Sequence, residues 1–231
     1  MTFKMGSKKS LTAIKICGIT QIDQAKAIAS LGVNAIGVIG VEESPRFVPE
    51  DQRRKLFNGL KDFSPYLKRV WVIADMNDSK IQNALDGHGT PSIVQLHGDE
   101  TPKRCKELSK RYPHIEWWKA IKIRNALDIS KAHEYEESIG ALLLDAWSPT
   151  ALGGTGNRIP LNWIKQETFK IPWWLAGGIS AEWIPEILSQ VKPFGIDASS
   201  RLEQSPGIKD IELVNNLVKA VNHVNNKLSK K

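Results

Sequence analysis

Short apolar runs recur along this 231-residue chain at intervals of roughly 20 to 35 residues, and a segment of helical period lies between most neighbours. The runs are 13–17, 35–40, 70–74, 93–97, 117–121, 141–145, 173–176 and 194–198. The intervening segments predict helices over 23–31, 49–60, 78–85, 101–111, 161–167, 181–190 and 208–227, and only 125–136 lacks a full helical pattern. Strand and helix in alternation, with no hairpin signal between strands, require parallel pairing. About eight repeats favour closure into a (β/α)8 TIM barrel with outer helices over an open doubly wound sheet. The glycine fingerprint that an open sheet uses for nucleotides is absent after the first run. One barrel domain is expected over 13–226, flanked by flexible basic tails at 1–12 and 227–231.

Composition sets the remaining bounds. With 41% hydrophobic and 25% charged residues, the chain can bury a core. No apolar run approaches the roughly 20 residues needed to span a bilayer, and the start lacks the apolar stretch of a signal peptide. A cytoplasmic protein without membrane association is expected. Two cysteines, Cys17 and Cys105, exclude a disulfide framework, and neither has neighbours at zinc-site spacing, so no metal is expected. Cys105 falls on a predicted helix and is read as packing. The net charge of +7 invites a nucleic-acid reading, but Lys4, Lys8, Lys9, Lys227, Lys230 and Lys231 supply six of those charges. The body is nearly balanced, 26 basic against 25 acidic residues, so no nucleic-acid partner is expected.

Lys15-Ile16-Cys17-Gly18-Ile19-Thr20 ends the first run on a thiol and turns at once toward a helix that Thr20 is placed to cap. Active sites of α/β barrels gather at that end of the strands. Alternation puts Ala13, Lys15 and Cys17 on one face of the first strand, Gln95 and His97 on one face of the fourth, Ala141, Leu143 and Asp145 on the sixth, and Gly195 and Asp197 on the eighth. A barrel interior built only for packing would carry aliphatic residues there, because an unpaired buried charge costs several kcal/mol. Polar groups converging at one mouth therefore suggest an active site. Lys15 and Asp197 are expected to pair where the last strand closes on the first, either to fix register or to tune the Cys17 thiol.

Three loops on the same rim, Gly153-Gly154-Thr155-Gly156, Gly177-Gly178 and Ser199-Ser200, form a set suited to an anion. Gly154, Gly156, Gly177, Gly178, Ser199 and Ser200 can offer backbone N–H groups to a phosphate. Arg46, stiffened by Pro45, is either a carboxylate clamp or a solvated surface arginine. Gln95 and His97 are substrate-binding candidates, although a single histidine on a strand is more often a satisfied core group. The tryptophan pairs Trp117-Trp118 and Trp173-Trp174 are expected to fill the layer between strands and helices.

Taken in order, KICGIT, SPRFV, VQLHGDE, LLLDA, GGTGNR, LAGGIS and DASS followed by PGIKD resemble the phosphoribosylanthranilate isomerase family of tryptophan biosynthesis, over residues 14–210. The resemblance implies a single-domain (β/α)8 barrel and an Amadori rearrangement. In it, N-(5-phosphoribosyl)anthranilate becomes 1-(2-carboxyphenylamino)-1-deoxyribulose 5-phosphate, with no metal or cofactor. It implies that Asp145 protonates the furanose ring oxygen and that Cys17 removes the C2 proton of the resulting Schiff base. Arg46 would hold the anthranilate carboxylate, and the glycine and serine loops the phosphate. A modestly depressed thiol pKa would make Cys17 a competent base near neutrality.

Two positions depart from the family pattern. Ser199-Ser200 is followed by Arg201 instead of glycine, and Ala74-Asp75-Met76-Asn77 displaces the usual asparagine after the third strand. Rival readings are the histidine-pathway isomerase, which carries aspartate where Cys17 stands, and indole-glycerol-phosphate synthase, whose lysine and glutamate pattern is missing. A catalytically silent phosphosugar-binding barrel is the rival of another class. The only partner expected is a small phosphosugar substrate, and the expected state is a monomer.

Overall fold

The apolar runs become the staves of a closed parallel barrel in the computed structural model, which describes residues 11–147 and 157–229. In chain order the strands are β1 Ala13–Cys17, β2 Ala35–Ile39, β3 Lys68–Ile73, β4 Ile93–Leu96, β5 Glu116–Ile123, β6 Ala141–Ala146, β7 Trp173–Leu175 and β8 Gly195–Ala198. Each pairs with the next, and β8 closes on β1 with Lys15 opposite Asp197. The outer layer consists of α1 Ile22–Ser30, α2 Glu50–Phe63, α3 Asp78–Leu85, α4 Pro102–Arg111, α5 Ala126–Ala132, α6 Leu161–Ile164, α7 Ile184–Gln190 and α8 Ile211–Ser229. No helix among the described residues is long and apolar enough to cross a membrane.

Period-two alternation divides the core into two layers. Ile16, Ile36, Val38, Ile73, Val94, Leu142 and Leu144 face outward against the helices. Ala35, Val70, Val72, Ile93, Ala120, Ala141 and Leu143 fill the barrel interior together with Cys17. The tryptophan pairs follow the same rule and correct the sequence expectation. Neighbouring strand residues point to opposite faces, so Trp117 packs outward while Trp118 and Trp174 lie inside the barrel, ring centroids 4.8 Å apart. Gly195 makes this fit, because a Cβ there would collide with the Trp174 ring.

Capping explains where several helices begin. Asn77 accepts the Lys80 N–H at 2.9 Å, Thr101 accepts the Arg104 N–H at 3.2 Å, and Asn125 with Asp128 forms a capping box that gives α5 a clear start. The displaced asparagine of the third loop is thus a helix cap. Asp75 beside it holds a left-handed φ of 47° and accepts the Asp99 N–H at 2.8 Å, lacing the third and fourth loops together.

Other boundaries move. Thr20 does not cap α1, whose first turn carries no side-chain cap; its hydroxyl instead donates to the Gly207 carbonyl at 2.8 Å. The helix expected over 208–227 starts at Ile211, because the preceding residues form an antiparallel hairpin of β9 Glu203–Ser205 and β10 Ile208–Lys209. Thr12 is no part of a tail: its N–H and carbonyl bond the Asn225 side chain at 3.0 and 3.1 Å. Lys227 likewise belongs to α8.

One surface cluster ties the segment before β6 to the segment before β7. His133 faces Glu136 at 2.9 Å through Nδ1 and Glu167 at 3.1 Å through Nε2, with its ring stacked on Phe169. Only the imidazolium donates at both nitrogens, so the Glu167 bond, with Glu136 helping, holds the His133 pKa above its ordinary value against partial burial. A raised folded-state pKa stabilises below the unfolded value of about 6.5 and is lost as pH rises through the folded value. The Tm gap between the native protein and His133→Ala is therefore expected to be widest near pH 6 and to narrow by about pH 8 in a thermal-melt series. A gap that widens with pH would contradict this pairing.

Candidate active site

β1, β4, β6 and β8 each bring a polar inward-facing residue to the C-terminal mouth of the barrel. Cys17, Gln95, His97, Asp145 and Asp197 line one pocket there, joined by Arg46 from the loop after β2. Gly177, Gly178, Ser199 and Ser200 complete its rim. Gly154 and Gly156 lie outside the described residues. Lys15 does not reach the pocket: it is fully buried one layer below Cys17, with Nζ 2.8 Å from Asp197 Oδ2.

The thiol sits in a tight frame. Cys17 lies opposite Gly37 on β2, and a Cβ at Gly37 would stand 2.7 Å from Sγ. Burial pushes the Cys17 thiol above its ordinary value, although the ammonium groups of Lys15 and Lys209 oppose the shift. The depressed thiol expected from sequence is thereby corrected. A reactive cysteine needs cations near it, and they are present, but desolvation outweighs them. Burial also works against the Lys15 charge, yet the Asp197 carboxylate keeps the Lys15 pKa above its ordinary value.

Across the mouth, Asp145 Oδ2 lies 3.3 Å from His97 Nε2, and His97 Nδ1 lies 3.0 Å from Gln95 Nε2. With the Gln95 amide donating to Nδ1, the N–H at Nε2 points at the Asp145 side chain and leaves its second oxygen open to the pocket. The two side chains thus hold Asp145 in a fixed orientation over the pocket.

Arg46 is not the solvated arginine that its loop position also allowed. It is buried, and Glu203 accepts from Nε at 2.8 Å and from Nη2 at 2.6 Å. Gly18 makes room for it, since a Cβ there would stand 2.6 Å from Arg46 Cδ. The Glu203 hydrogen bonds hold the Arg46 pKa above its ordinary value.

Glu203 and Lys209 were not singled out from sequence. Lys209 is 2% exposed and donates to Glu203 at 2.7 Å and to the Ser199 carbonyl at 3.2 Å. The signal for them is Pro206-Gly207, a turn dipeptide between two residues of opposite charge; Gly207 adopts a φ of 84°.

On the rim of the pocket, Gly177 and Gly178 take φ of 91° and 62°, a backbone that other residues rarely adopt. Ser199 donates to the Cys17 carbonyl at 3.0 Å, and Ser200 opens a 3₁₀ turn. Arg201 accommodates the family's glycine position within that turn. Asp75 alone among the described non-glycine residues has a positive φ, so Arg201 carries no left-handed strain.

The sequence profile described as N-(5'phosphoribosyl)anthranilate (PRA) isomerase matches residues 14–220. An enzyme of that name from Rippkaea orientalis is 42% identical over 207 residues, covering 89% of this chain and 94% of the relative. One from Synechococcus elongatus is 43% identical over 203 residues, covering 87% and 92%. Among solved structures, phosphoribosyl anthranilate isomerase from Thermotoga maritima superposes with a TM-score of 0.81 at 27% identity, covering 92% of this chain and 99% of its own. A phosphoribosyl anthranilate isomerase structure solved in complex with reduced 1-(o-carboxyphenylamino)-1-deoxyribulose 5-phosphate gives a TM-score of 0.76 at 26% identity over 92% of this chain and 99% of its own. With its barrel closed in chain order and its profile match spanning β1 to α8, the chain belongs to the N-(5'-phosphoribosyl)anthranilate isomerase family.

Proposed function

We propose that this protein is an isomerase of tryptophan biosynthesis that converts N-(5-phosphoribosyl)anthranilate into 1-(2-carboxyphenylamino)-1-deoxyribulose 5-phosphate. The observation that carries the reading is a single pocket that holds Cys17 and Asp145 together, with Arg46 on its wall and the Gly177-Gly178 and Ser199-Ser200 loops on its rim. A substrate with a carboxylate at one end and a phosphate at the other would be gripped at both, which aligns the ribose between acid and base.

In the proposed sequence, Asp145 gives a proton to the furanose ring oxygen as the C1–O bond breaks, and the anthranilate nitrogen supplies the electron pair for a protonated Schiff base. The iminium acidifies the neighbouring C2–H. The Cys17 thiolate takes that proton, and the C–H electron pair forms the C1–C2 double bond of an enolamine, which tautomerises to the ketone. Every proton removed is returned, so the balance requires no oxidant and no cofactor. Lys15, pinned by Asp197, keeps a positive charge under the thiol and favours the thiolate.

Arg46 takes the carboxylate in this scheme. Arg46→Ala is expected to raise KM roughly 10- to 100-fold with a smaller change in kcat, measured by initial rates. A KM equal to the parent's would remove Arg46 from substrate binding. The reaction itself is tested by following the loss of anthranilate-type fluorescence when purified protein meets freshly made phosphoribosylanthranilate. A rate no greater than background favours the silent barrel, and turnover only of another aminoaldose phosphate favours a related isomerase. The proposed compartment is the cytoplasm, where thiols stay reduced.

A further inference from the structure

The β9–β10 hairpin places a second, buried charge cluster behind the substrate pocket. Glu203 and Lys209 stand directly opposite each other on its two strands. Thr20 holds the hairpin at the Gly207 carbonyl, and Gln24 bonds both the N–H and the carbonyl of Lys209, each at 3.0 Å. The hairpin is thus bolted to the first βα turn and to α1, the segment that follows Cys17.

Glu203 uses this anchorage to hold one particular edge of Arg46. Its Oε1 accepts from Nε at 2.8 Å, and its Oε2 accepts from Nη2 at 2.6 Å, a side-on bidentate grip. Oε1 also accepts from Lys209 Nζ at 2.7 Å and from the Gly207 N–H at 3.2 Å. A guanidinium carries five N–H donors in a fixed fork. Two are taken by Glu203, and the other three, both on Nη1 and one on Nη2, have no protein partner among the described residues. Of these, one on Nη1 and one on Nη2 lie parallel as the end-on edge, the other geometry that receives a carboxylate bidentately, while the second on Nη1 points back toward Cδ. Lys209 balances the second half of the Glu203 charge, so that the carboxylate stays ionised although it is 4% exposed.

We propose that Glu203 is a positioning residue: by taking the side-on edge of Arg46 and being itself neutralised by Lys209, it leaves the end-on edge of the guanidinium for the substrate carboxylate. This inference rests on the assignment of Arg46 to that carboxylate. Lys209 extends the bracket to the other anchor, since its Nζ also donates to the Ser199 carbonyl and hydroxyl at 3.2 and 3.3 Å. The hairpin therefore sets the distance between the carboxylate clamp and the serine side of the rim. Hydrogen bonds from Arg46 and Lys209 keep the Glu203 pKa below its ordinary value despite burial, consistent with a permanent anion.

The test compares Glu203→Gln, Glu203→Asp, Arg46→Ala and the double variant Arg46→Ala with Glu203→Gln, using phosphoribosylanthranilate as substrate. Glu203→Gln is expected to raise KM roughly 10- to 100-fold with kcat changed far less, because the guanidinium loses its orientation while acid and base stay in place. The double variant is expected to show the same KM as Arg46→Ala alone, since Glu203 acts through Arg46. Glu203→Asp keeps the charge but withdraws it from the guanidinium; it is expected to raise KM while its Tm stays near the parent's, which keeps the test open should the glutamine variant fail to fold. Parent-like KM in both single variants at Glu203, alongside a raised KM in Arg46→Ala, overturns the positioning role alone. Independent, multiplying losses in the double variant overturn it as well. A parent-like KM in Arg46→Ala overturns the carboxylate assignment and this inference with it.

Discussion

Cys17→Ser is expected to lower kcat by about 100- to 10,000-fold while leaving the fold and Tm nearly unchanged, because a positioned base contributes a factor of that size. Serine fits the space that Gly37 leaves beside the thiol, so the variant tests chemistry and not packing. A hydroxyl has far too high a pKa for Lys15 and Lys209 to ionise it, whereas a thiol lies within their reach. The native protein supplies a companion measurement. Since burial pushes the Cys17 thiol up, kcat/KM is expected to rise with pH across the neutral range as the thiolate fraction grows. Turnover by Cys17→Ser close to the native rate would remove the thiol from the reaction.

Asp145→Asn is expected to cost a similar factor, about 100- to 10,000-fold in kcat, measured by the same fluorescence assay. The amide keeps the size of the carboxyl and a hydrogen-bond acceptor for His97, which stands 3.3 Å away, but it has no acidic proton for the ring oxygen. The proposed scheme gives the phosphate and carboxylate ends to other residues, so KM is expected to move little. The two variants together separate the half-reactions. Asp145→Asn blocks ring opening, so fluorescence persists with the furanose intact, while Cys17→Ser stalls after the ring has opened. Near-native turnover in Asp145→Asn would assign the acid to another group, with His97 the nearest in place.

Barrel closure and the inward set were legible because both depend on local pattern: eight apolar runs and a period of two. The same period carried Lys15 to Asp197 across 182 residues, a contact that follows once the last strand is known to close on the first. What escaped was set by tertiary context. A hairpin of three and two residues leaves no periodicity, so the helical pattern runs on through 208–209 although Pro206-Gly207 marks a turn. Glu203 and Lys209 are an unremarkable pair of charges until that hairpin faces them toward Arg46. The thiol's direction of shift was also hidden, because it results from burial set against two cations, and neither magnitude is written in a local motif.

The Lys15–Asp197 pair also constrains the order in which the molecule can assemble. Its two members sit on the first and last strands, and Lys15 is fully buried in the finished protein. A partly formed sheet that lacks β8 carries an ammonium on its inner face with no counter-charge, and drying that interior costs several kcal/mol. Lys15 therefore favours contact with water until β8 brings Asp197 opposite it. Loop closure over nearly the whole chain then coincides with desolvation of the core. The charge pair beneath Cys17 acts as a condition on completion: the barrel interior becomes a sealed, low-dielectric space only when every strand is in place.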